Sequence, residues 1–359
     1  MTVCKIELEN FRNIEKCGFE PGEGVNIIYG ENAQGKTNLL EAVWMFTGMR
    51  SFRGAKDSEL VSFGKERASA EIAFFSQGRR QSAELKIKSK RELCKNGVAV
   101  KSPAEMAESF PAVVFSPAHL MLVRGGPAER RRFLDTALAQ LRPKYAGLLL
   151  EYKRALDQRN ALLRDAPGHT ELFDMFELFE RRMAETAAKI INYRLRYIAA
   201  LNETAPAVYG GLSRGRENLS AAYSFEIPDG GAVEFIISAL AESREHDIRT
   251  GWTSVGPHRD DLVLSVDSLS ARQFGSQGQA RSAVLALKIA EAVILGRFSG
   301  EKPAALLDDV MSELDAGRQE YILNHIEGWQ IFITCCEPET VKRLMGGKAF
   351  KMDQGRIIS

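Results

Sequence analysis

Apolar and polar positions alternate with period two over residues 1–11, where Val3, Ile6 and Leu8 are interleaved with Lys5, Glu7 and Glu9. Together with residues 18–29 this pattern predicts a strand pair. The second run closes on Val25-Asn26-Ile27-Ile28-Tyr29, whose Ile27, Ile28 and Tyr29 read as a buried strand, and residues 38–46 then carry apolar side chains at helical spacing. Ser51-Phe52-Arg53-Gly54 reads as a loop and residues 59–64 as a short capped segment. Two further alternating runs, 68–75 and 81–88, are joined at Gly78 and followed by a turn at Asn96-Gly97, which predicts antiparallel sheet. A strand at 112–115 brings the chain back to this first lobe.

From 119 to 201 the period becomes helical, in a stretch rich in Arg, Leu and Glu. One helix opens at Glu129-Arg130-Arg131-Arg132-Phe133-Leu134, is interrupted by Pro143, and continues over 148–163 to a turn at Ala166-Pro167-Gly168. In a second helix Phe173, Phe176, Met183, Ala187, Ile190 and Leu201 tend to one face, so paired antiparallel helices projecting as a short arm fit the pattern. Residues 206–216 read as a glycine-bearing loop, 221–227 as a strand and 233–249 as a helix. Gly256-Pro257-His258-Arg259-Asp260-Asp261 and a strand at 262–266 return the chain to the first lobe, followed by a helix at 282–295 and the apolar strand Ala305-Leu306-Leu307. The expected fold class is α/β, with a mixed sheet in a head formed by residues 1–118 and 251–359 and a second, mainly helical arm domain at 119–250.

The chain of 359 residues is long enough for a sizeable core and more than one compact unit. Its 45% hydrophobic and 26% charged residues are those of an ordinary globular protein, and a net charge of +1 announces no nucleic-acid binder. Any DNA contact must rest on local basic patches. The candidates are Arg79-Arg80, residues 86–91, Arg130-Arg131-Arg132 and residues 154–164, each of which also reads as an ordinary solvated face. Cys4, Cys17, Cys94, Cys335 and Cys336 form no CxxC pattern, which suggests a reduced, cytoplasmic compartment. No early run reads as a signal peptide and none approaches the ~18 apolar residues of a membrane span.

The candidate chemistry starts at Gly30-Glu31-Asn32-Ala33-Gln34-Gly35-Lys36-Thr37, a GxxxxGKT run between the buried strand and the helix. A backbone that wraps a triphosphate turns so tightly that side chains would clash at Gly30 and Gly35. Lys36 would reach the β and γ phosphates of ATP, Thr37 would offer its hydroxyl to Mg²⁺, and the helix N-terminus would face the anion. The plainer alternative is a turn that binds nothing. Far along the chain, Ala305-Leu306-Leu307-Asp308-Asp309 is a strand ending in two carboxylates: Asp308 would hold Mg²⁺ with Thr37, and Asp309 stands where a base could polarise the attacking water. Otherwise these aspartates merely cap the next element. Between the two, Phe274-Gly275-Ser276-Gln277-Gly278-Gln279-Ala280-Arg281 is a polar, glycine-containing turn before a helix, suited to a second anion contact. Arg12 and Asn13, at the first turn, would supply a cation to stack on a nucleotide base or a solvated turn charge.

The order of the GxxxxGKT loop, a long helical insertion, Ser276 to Gln279, Leu306-Leu307-Asp308-Asp309-Val310 and Ser312-Glu313-Leu314-Asp315 resembles the ATP-binding-cassette (ABC) ATPases of the SMC and Rad50 type. More closely, Phe115-Ser116-Pro117, Leu122-Val123-Arg124-Gly125-Gly126-Pro127, Glu129 to Asp135, Gln158-Arg159-Asn160, Gly256 to Asp261 and Ser276 to Gln279 together resemble the RecF family of bacterial replication and repair proteins. The resemblance spans nearly the whole chain. It implies an ABC-type ATPase head, a P-loop NTPase fold, with a short helical arm instead of a long coiled coil. It implies a homodimer closed on two ATP molecules, with Ser276, Gln277, Gly278 and Gln279 meeting the nucleotide held by Lys36 of the partner subunit and Ser312 to Asp315 at the same interface. It also implies a role in recombinational repair on gapped duplex DNA, with RecO and RecR as partners in loading RecA onto SSB-coated single strands. Asp309 stands where many cassette ATPases have a glutamate one methylene longer, so slow hydrolysis suited to a timer is expected. Thr334-Cys335-Cys336 replaces the switch histidine of transporters. The rival readings are a transporter ATPase subunit and a DNA clamp that holds ATP without turnover.

Overall fold

The computed structural model describes residues 1–225, 231–338 and 346–358. The chain begins with β1 (Thr2–Phe11), β2 (Ile14–Phe19), β3 (Val25–Tyr29) and α1 (Lys36–Met45). There follow β4 (Ala68–Ser76), β5 (Arg79–Ile87), β6 (Arg91–Lys95), β7 (Val98–Ala99) and β8 (Ala112–Phe115). The middle of the chain holds α2 (Met121–Arg124), α3 (Pro127–Leu141), α4 (Pro143–Asp165), α5 (Phe173–Ser213), β9 (Leu219–Tyr223) and α6 (Ala232–Thr250). It closes with β10 (Leu262–Val266), β11 (Leu269–Ser270) and α7 (Ala271–Phe274). The last stretch is α8 (Gln277–Ser299), β12 (Ala304–Asp308), α9 (Ala316–His325), β13 (Ile331–Cys335), β14 (Lys348–Asp353) and β15 (Arg356–Ile358).

Two compact units result. The first comprises residues 1–120, 204–218 and 277–359, and the second residues 121–203 and 219–276. These limits differ from the expected 118/119 and 250/251. The Gly256-to-Asp261 run and β10, expected to rejoin the head, stay in the second unit because β10 pairs antiparallel with β9 from Leu262↔Tyr223 to Val266↔Leu219.

The first unit is built on two six-stranded sheets. One, in the order β2-β1-β4-β5-β6-β7, is antiparallel throughout. The other runs β15-β14-β3-β13-β12-β8, parallel from β14 to β8 with β15 antiparallel at its edge, and is the mixed sheet expected. Every residue of β8, β12 and β13 is buried, which is why these strands read as unbroken apolar runs and not as alternations. Residues 18–29 are not one strand. They break at Glu20-Pro21-Gly22-Glu23-Gly24, where proline removes a ladder donor and glycine weakens extended pairing, and the two halves enter different sheets.

Helix α1 touches β1 of the first sheet and β8, β12 and β13 of the second. Leu39 through Met45 are accordingly all buried, as expected of a helix covered on every side. Phe110 completes this core, edge-on to Phe74 at 5.3 Å and tilted against Phe46 at 6.0 Å. Burial of each such ring stabilises the fold by about 1.5–3 kcal/mol.

The second unit packs α3, α4, roughly the first eight and a half turns of α5 and α6 together, with buried charged side chains among its apolar ones. Arg159 is fully buried and bonds Glu180 (2.9 Å), Asp247 (2.7 Å), Thr253 Oγ1 (3.0 Å) and the Leu240 carbonyl (3.1 Å). Arg194 donates to Asp135 (2.8 Å), Tyr223 (3.0 Å) and the Pro257 carbonyl (2.7 Å). Arg130 makes a bidentate pair with Asp261 (2.7 and 2.8 Å), and Arg131 reaches the Asp260 carbonyl (2.8 Å). The motifs Glu129 to Asp135, Gln158 to Asn160 and Gly256 to Asp261 are thus largely the internal framework of this unit. Arg130 and Arg159 cannot serve the basic patches in which they were counted, because both are buried and paired.

Helix α5 also corrects the reading of residues 206–216 as a loop. It runs helically through Pro206 to Ser213. A proline inside a helix costs about 3 kcal/mol. Ala205, Val208, Tyr209 and Leu212 recur at helical spacing and are all buried, and at about 1.5–3 kcal/mol for each large side chain their burial exceeds that cost. The strand expected at 221–227 is β9, ending at Tyr223, and its last two expected residues lie outside the described ones.

Candidate nucleotide site

The phosphate loop leaves β3 at Tyr29 and enters α1 at Lys36. Gly30 has φ 155° and Gly35 φ 107°, and a Cβ at Gly30 would run into the Met352 carbonyl while one at Gly35 would stand 2.8 Å from Asn13 Oδ1. Glycine is required at both for close backbone approach. Ala33 adopts φ 64°, an uncommon conformation for a residue with a Cβ, and its carbonyl accepts from Asn13 Nδ2 at 3.0 Å. Gln34 is held by the turn between β14 and β15, its carbonyl accepting from Gly355 N (2.9 Å) and its side chain from Gln354 N (2.6 Å). Glu31, Asn32 and Ala33 are exposed along the rim. Lys36 is 4% exposed, and its ammonium donates to the carbonyls of Gly30 (2.7 Å) and Glu31 (2.8 Å). The loop is therefore shaped and braced, with a cation at its centre.

Thr37 and Asp308, 271 residues apart in sequence, meet beside this loop: Thr37 Oγ1 donates to Asp308 Oδ1 at 2.7 Å. The same oxygen accepts from Thr334 Oγ1 at 3.0 Å, and Thr334 Oγ1 in turn accepts from the Asp309 N–H at 2.9 Å. Burial raises the Asp308 carboxyl above its ordinary pKa, the two hydroxyl bonds pull it back, and the neighbouring Asp309 charge raises it again. A hydroxyl and a carboxylate brought together in this way are hard oxygen donors of the kind that hold Mg²⁺, and a cation would relieve the desolvated charge. The residues present therefore fit both a triphosphate and a divalent metal. Asp309 is half-buried, with φ 51°, and its carbonyl accepts from Ser312 Oγ at 2.8 Å. Cys335 is buried at the end of β13, whereas Cys336 lies past the strand and is exposed, its thiol 3.4 Å from Asn32 Oδ1.

Arg12 is no freely solvated turn charge. Its guanidinium forms a fork on the fully buried Glu41 (3.0 and 3.1 Å), with its remaining nitrogen on the Glu59 carbonyl at 3.0 Å. Ser276 is exposed at the end of the second unit, and Gln277, Gly278 and Gln279 form the first turn of α8, not the loop before it. Gln279 Nε2 donates to Glu217 Oε1 at 2.8 Å, and Tyr209 donates its hydroxyl to Glu217 Oε2 at 2.7 Å. Asp315 caps α9, accepting from Arg318 N at 3.1 Å. Sequence reasoning missed Thr334, Glu217, Tyr209 and Gln354. Only Thr334 carried a local signal, a hydroxyl near the end of an apolar strand.

The sequence profile of the RecF/RecN/SMC N terminal domain matches residues 2–358. A DNA replication and repair protein RecF from Agathobacter rectalis is 36% identical over 361 residues, covering 99% of each chain. A solved structure of the recombination mediator protein RecF-ATP in the RecFOR pathway has a TM-score of 0.92 at 36% identity, covering 99% of this chain and 97% of that one. The Smc head domain with an extended coiled coil from Pyrococcus furiosus has a TM-score of 0.56 at 18% identity, over 99% of this chain and 96% of that one, a likeness of fold alone. With an ABC-type ATPase head assembled around a braced phosphate loop, the chain belongs to the RecF family of DNA replication and repair proteins.

Proposed function

We propose that this protein is an ATP-dependent DNA-binding protein of recombinational repair and replication restart, in which nucleotide drives two copies together on duplex or gapped DNA. The observation that carries the reading is the meeting of Lys36, Thr37 and Asp308 at one end of the parallel sheet. The solved RecF-ATP structure, to which the chain is similar over nearly its full length, supports ATP as the ligand. RecO and RecR are the partners the RecFOR pathway of that relative suggests, and loading of RecA is the outcome the family resemblance implies.

In this reading the loop residues 30–37 wrap the phosphates, and Lys36 exchanges its bonds to the Gly30 and Glu31 carbonyls for phosphate oxygens. Thr37 and Asp308 would hold Mg²⁺. Mg²⁺, when bound, neutralises charge on the β and γ phosphate oxygens. Asp309 accepts a proton from the attacking water, slowly, because its carboxylate is one methylene shorter than a glutamate. Ser276, Gln277, Gly278 and Gln279 contact the nucleotide of the other copy. Exposed Arg79, Arg80, Lys88 and Lys90 remain available for backbone phosphates, and the affinity for DNA falls with added salt.

The test is equilibrium binding of a fluorescent ATP analogue to the wild type and to Lys36→Met, with the unfolding midpoint measured alongside. The variant is expected to lose at least about tenfold in affinity, equivalent to ~1.4 kcal/mol, while remaining folded. Equal affinity in the two proteins would end the assignment.

A further inference from the structure

The hydroxyl of Thr334 lies between the two carboxylate residues that the proposed site depends on. Thr334 is fully buried on β13, the strand that separates β3, which leads to the phosphate loop, from β12, which ends in Asp308. Its Oγ1 donates to Asp308 Oδ1 (3.0 Å) and accepts from the Asp309 N–H (2.9 Å). One hydroxyl therefore uses its single proton on one aspartate and a lone pair on the backbone of the next. Two consequences follow from that arrangement. Asp308 Oδ1 already receives both Thr37 and Thr334, which fixes the rotation of the carboxylate and leaves Oδ2 as its less engaged oxygen. Asp309, whose backbone sits at φ 51°, is tied at its nitrogen so that its side chain leaves the strand end in one direction.

We infer that Thr334 is a positioning residue of the metal and water-activating site: its hydroxyl sets the orientation of Asp308 toward Mg²⁺ and the backbone pose of Asp309, without itself touching nucleotide. The inference rests on the nucleotide-site reading above. Outer-shell partners of metal ligands typically govern affinity by 10–100-fold, because they hold the ligating oxygen in place. Lys36 and the loop backbone, by contrast, reach phosphate independently of Thr334 and would bind nucleotide without metal.

The experiment is a titration of a fluorescent ATP analogue, in EDTA and across Mg²⁺ concentrations, on the wild type, Thr334→Val, Thr334→Ser and Asp308→Asn, with thermal unfolding of each. Thr334→Val keeps the shape and removes the hydroxyl; Thr334→Ser keeps the hydroxyl. Affinity in EDTA should be the same for the wild type and both Thr334 variants. The Mg²⁺ concentration giving half of the metal-dependent gain should rise about 10–100-fold in Thr334→Val, approaching Asp308→Asn, and return to within about twofold of wild type in Thr334→Ser. A Thr334→Val protein that titrates Mg²⁺ as the wild type does, or that loses affinity equally in EDTA, overturns the inference. If Thr334→Val does not fold, Thr334→Cys takes its place under the same two criteria. Failure of the wild type to bind the analogue under any condition removes the nucleotide site itself, and is thereby distinguished from failure of Thr334 alone.

Discussion

Asp309 and His258 are single residues whose surroundings determine what they can do. Asp309 makes its backbone contacts to Thr334 and Ser312, so its side chain can be altered without removing a structural bond among those described. Asp309→Asn keeps the shape and removes the base. ATP turnover should fall by about 10²–10⁴ while affinity for the nucleotide is retained, as measured by phosphate release and analogue binding. Unchanged turnover would remove the assigned role. His258 is different in kind. Its Nε2 lies 3.1 Å from the Thr253 carbonyl and its Nδ1 2.6 Å from the Tyr152 hydroxyl, an arrangement a neutral ring protonated on Nε2 satisfies. Burial, assisted by the charges of Arg259 and Arg131, depresses its pKa to about 4. Between the ordinary value near 6.5 and about 4 the unfolded chain takes up a proton that the folded ring does not. Stability is therefore fully present above the upper value and is lost as the pH falls through this window. Urea midpoints from pH ~7 to ~5 should reveal up to about 2 kcal/mol of loss, and His258→Gln should flatten the slope.

Helices and strands differ in how much of their fate is written locally. Strands β3, β8 and β12 were legible because burial on both faces demands apolar runs, and the phosphate loop because its glycines, lysine and threonine are contiguous. Helix α5 was cut short at residue 206 because proline and two glycines outweigh propensity in any local window, while the stripe Ala205, Val208, Tyr209 and Leu212 acts only once something covers it. Thr334 and Glu217 could not be assigned to the site because their partners lie 26 and 62 residues away. Arg159 shows the same distance effect in the second unit. Within α4 it looks like one more surface cation of a basic helix, yet it is enclosed by Glu180 of α5 and Asp247 of α6. Arg159→Met would leave Asp247, at 0% side-chain exposure, without its cation in the interior and Glu180, at 2%, with Arg244 alone. Breaking a buried pair from one side costs about 3–5 kcal/mol, so the urea midpoint should drop accordingly. A variant as stable as the wild type would mean that water reaches these carboxylates.

At the scale of the molecule, the proposed function makes nucleotide the link between two copies of the chain. In the proposed function Lys36, Thr37 and Asp308 serve one side of a bound triphosphate, and Ser276 and Gln277 are exposed around the start of α8. Glu217 holds Gln279 by a charge-assisted bond, so this first turn is fixed before any encounter. If a second copy supplies that turn, removing either half should have the same consequence for assembly by different means. Lys36→Met should abolish ATP-dependent dimers by losing the nucleotide. Ser276→Arg should abolish them with the nucleotide still bound, because a bulky side chain blocks the approach. Sedimentation with and without ATP separates these cases when paired with analogue binding, and a gapped duplex added in the same experiment reports whether the dimer is the DNA-binding form. With DNA present, the wild-type complex should weaken steeply as salt rises, since a net charge of +1 leaves attraction to local lysines and arginines. Dimers that form equally without ATP, or a Ser276→Arg protein that assembles as the wild type does, would mean that nucleotide is bound within one copy alone and that grip on DNA is governed elsewhere.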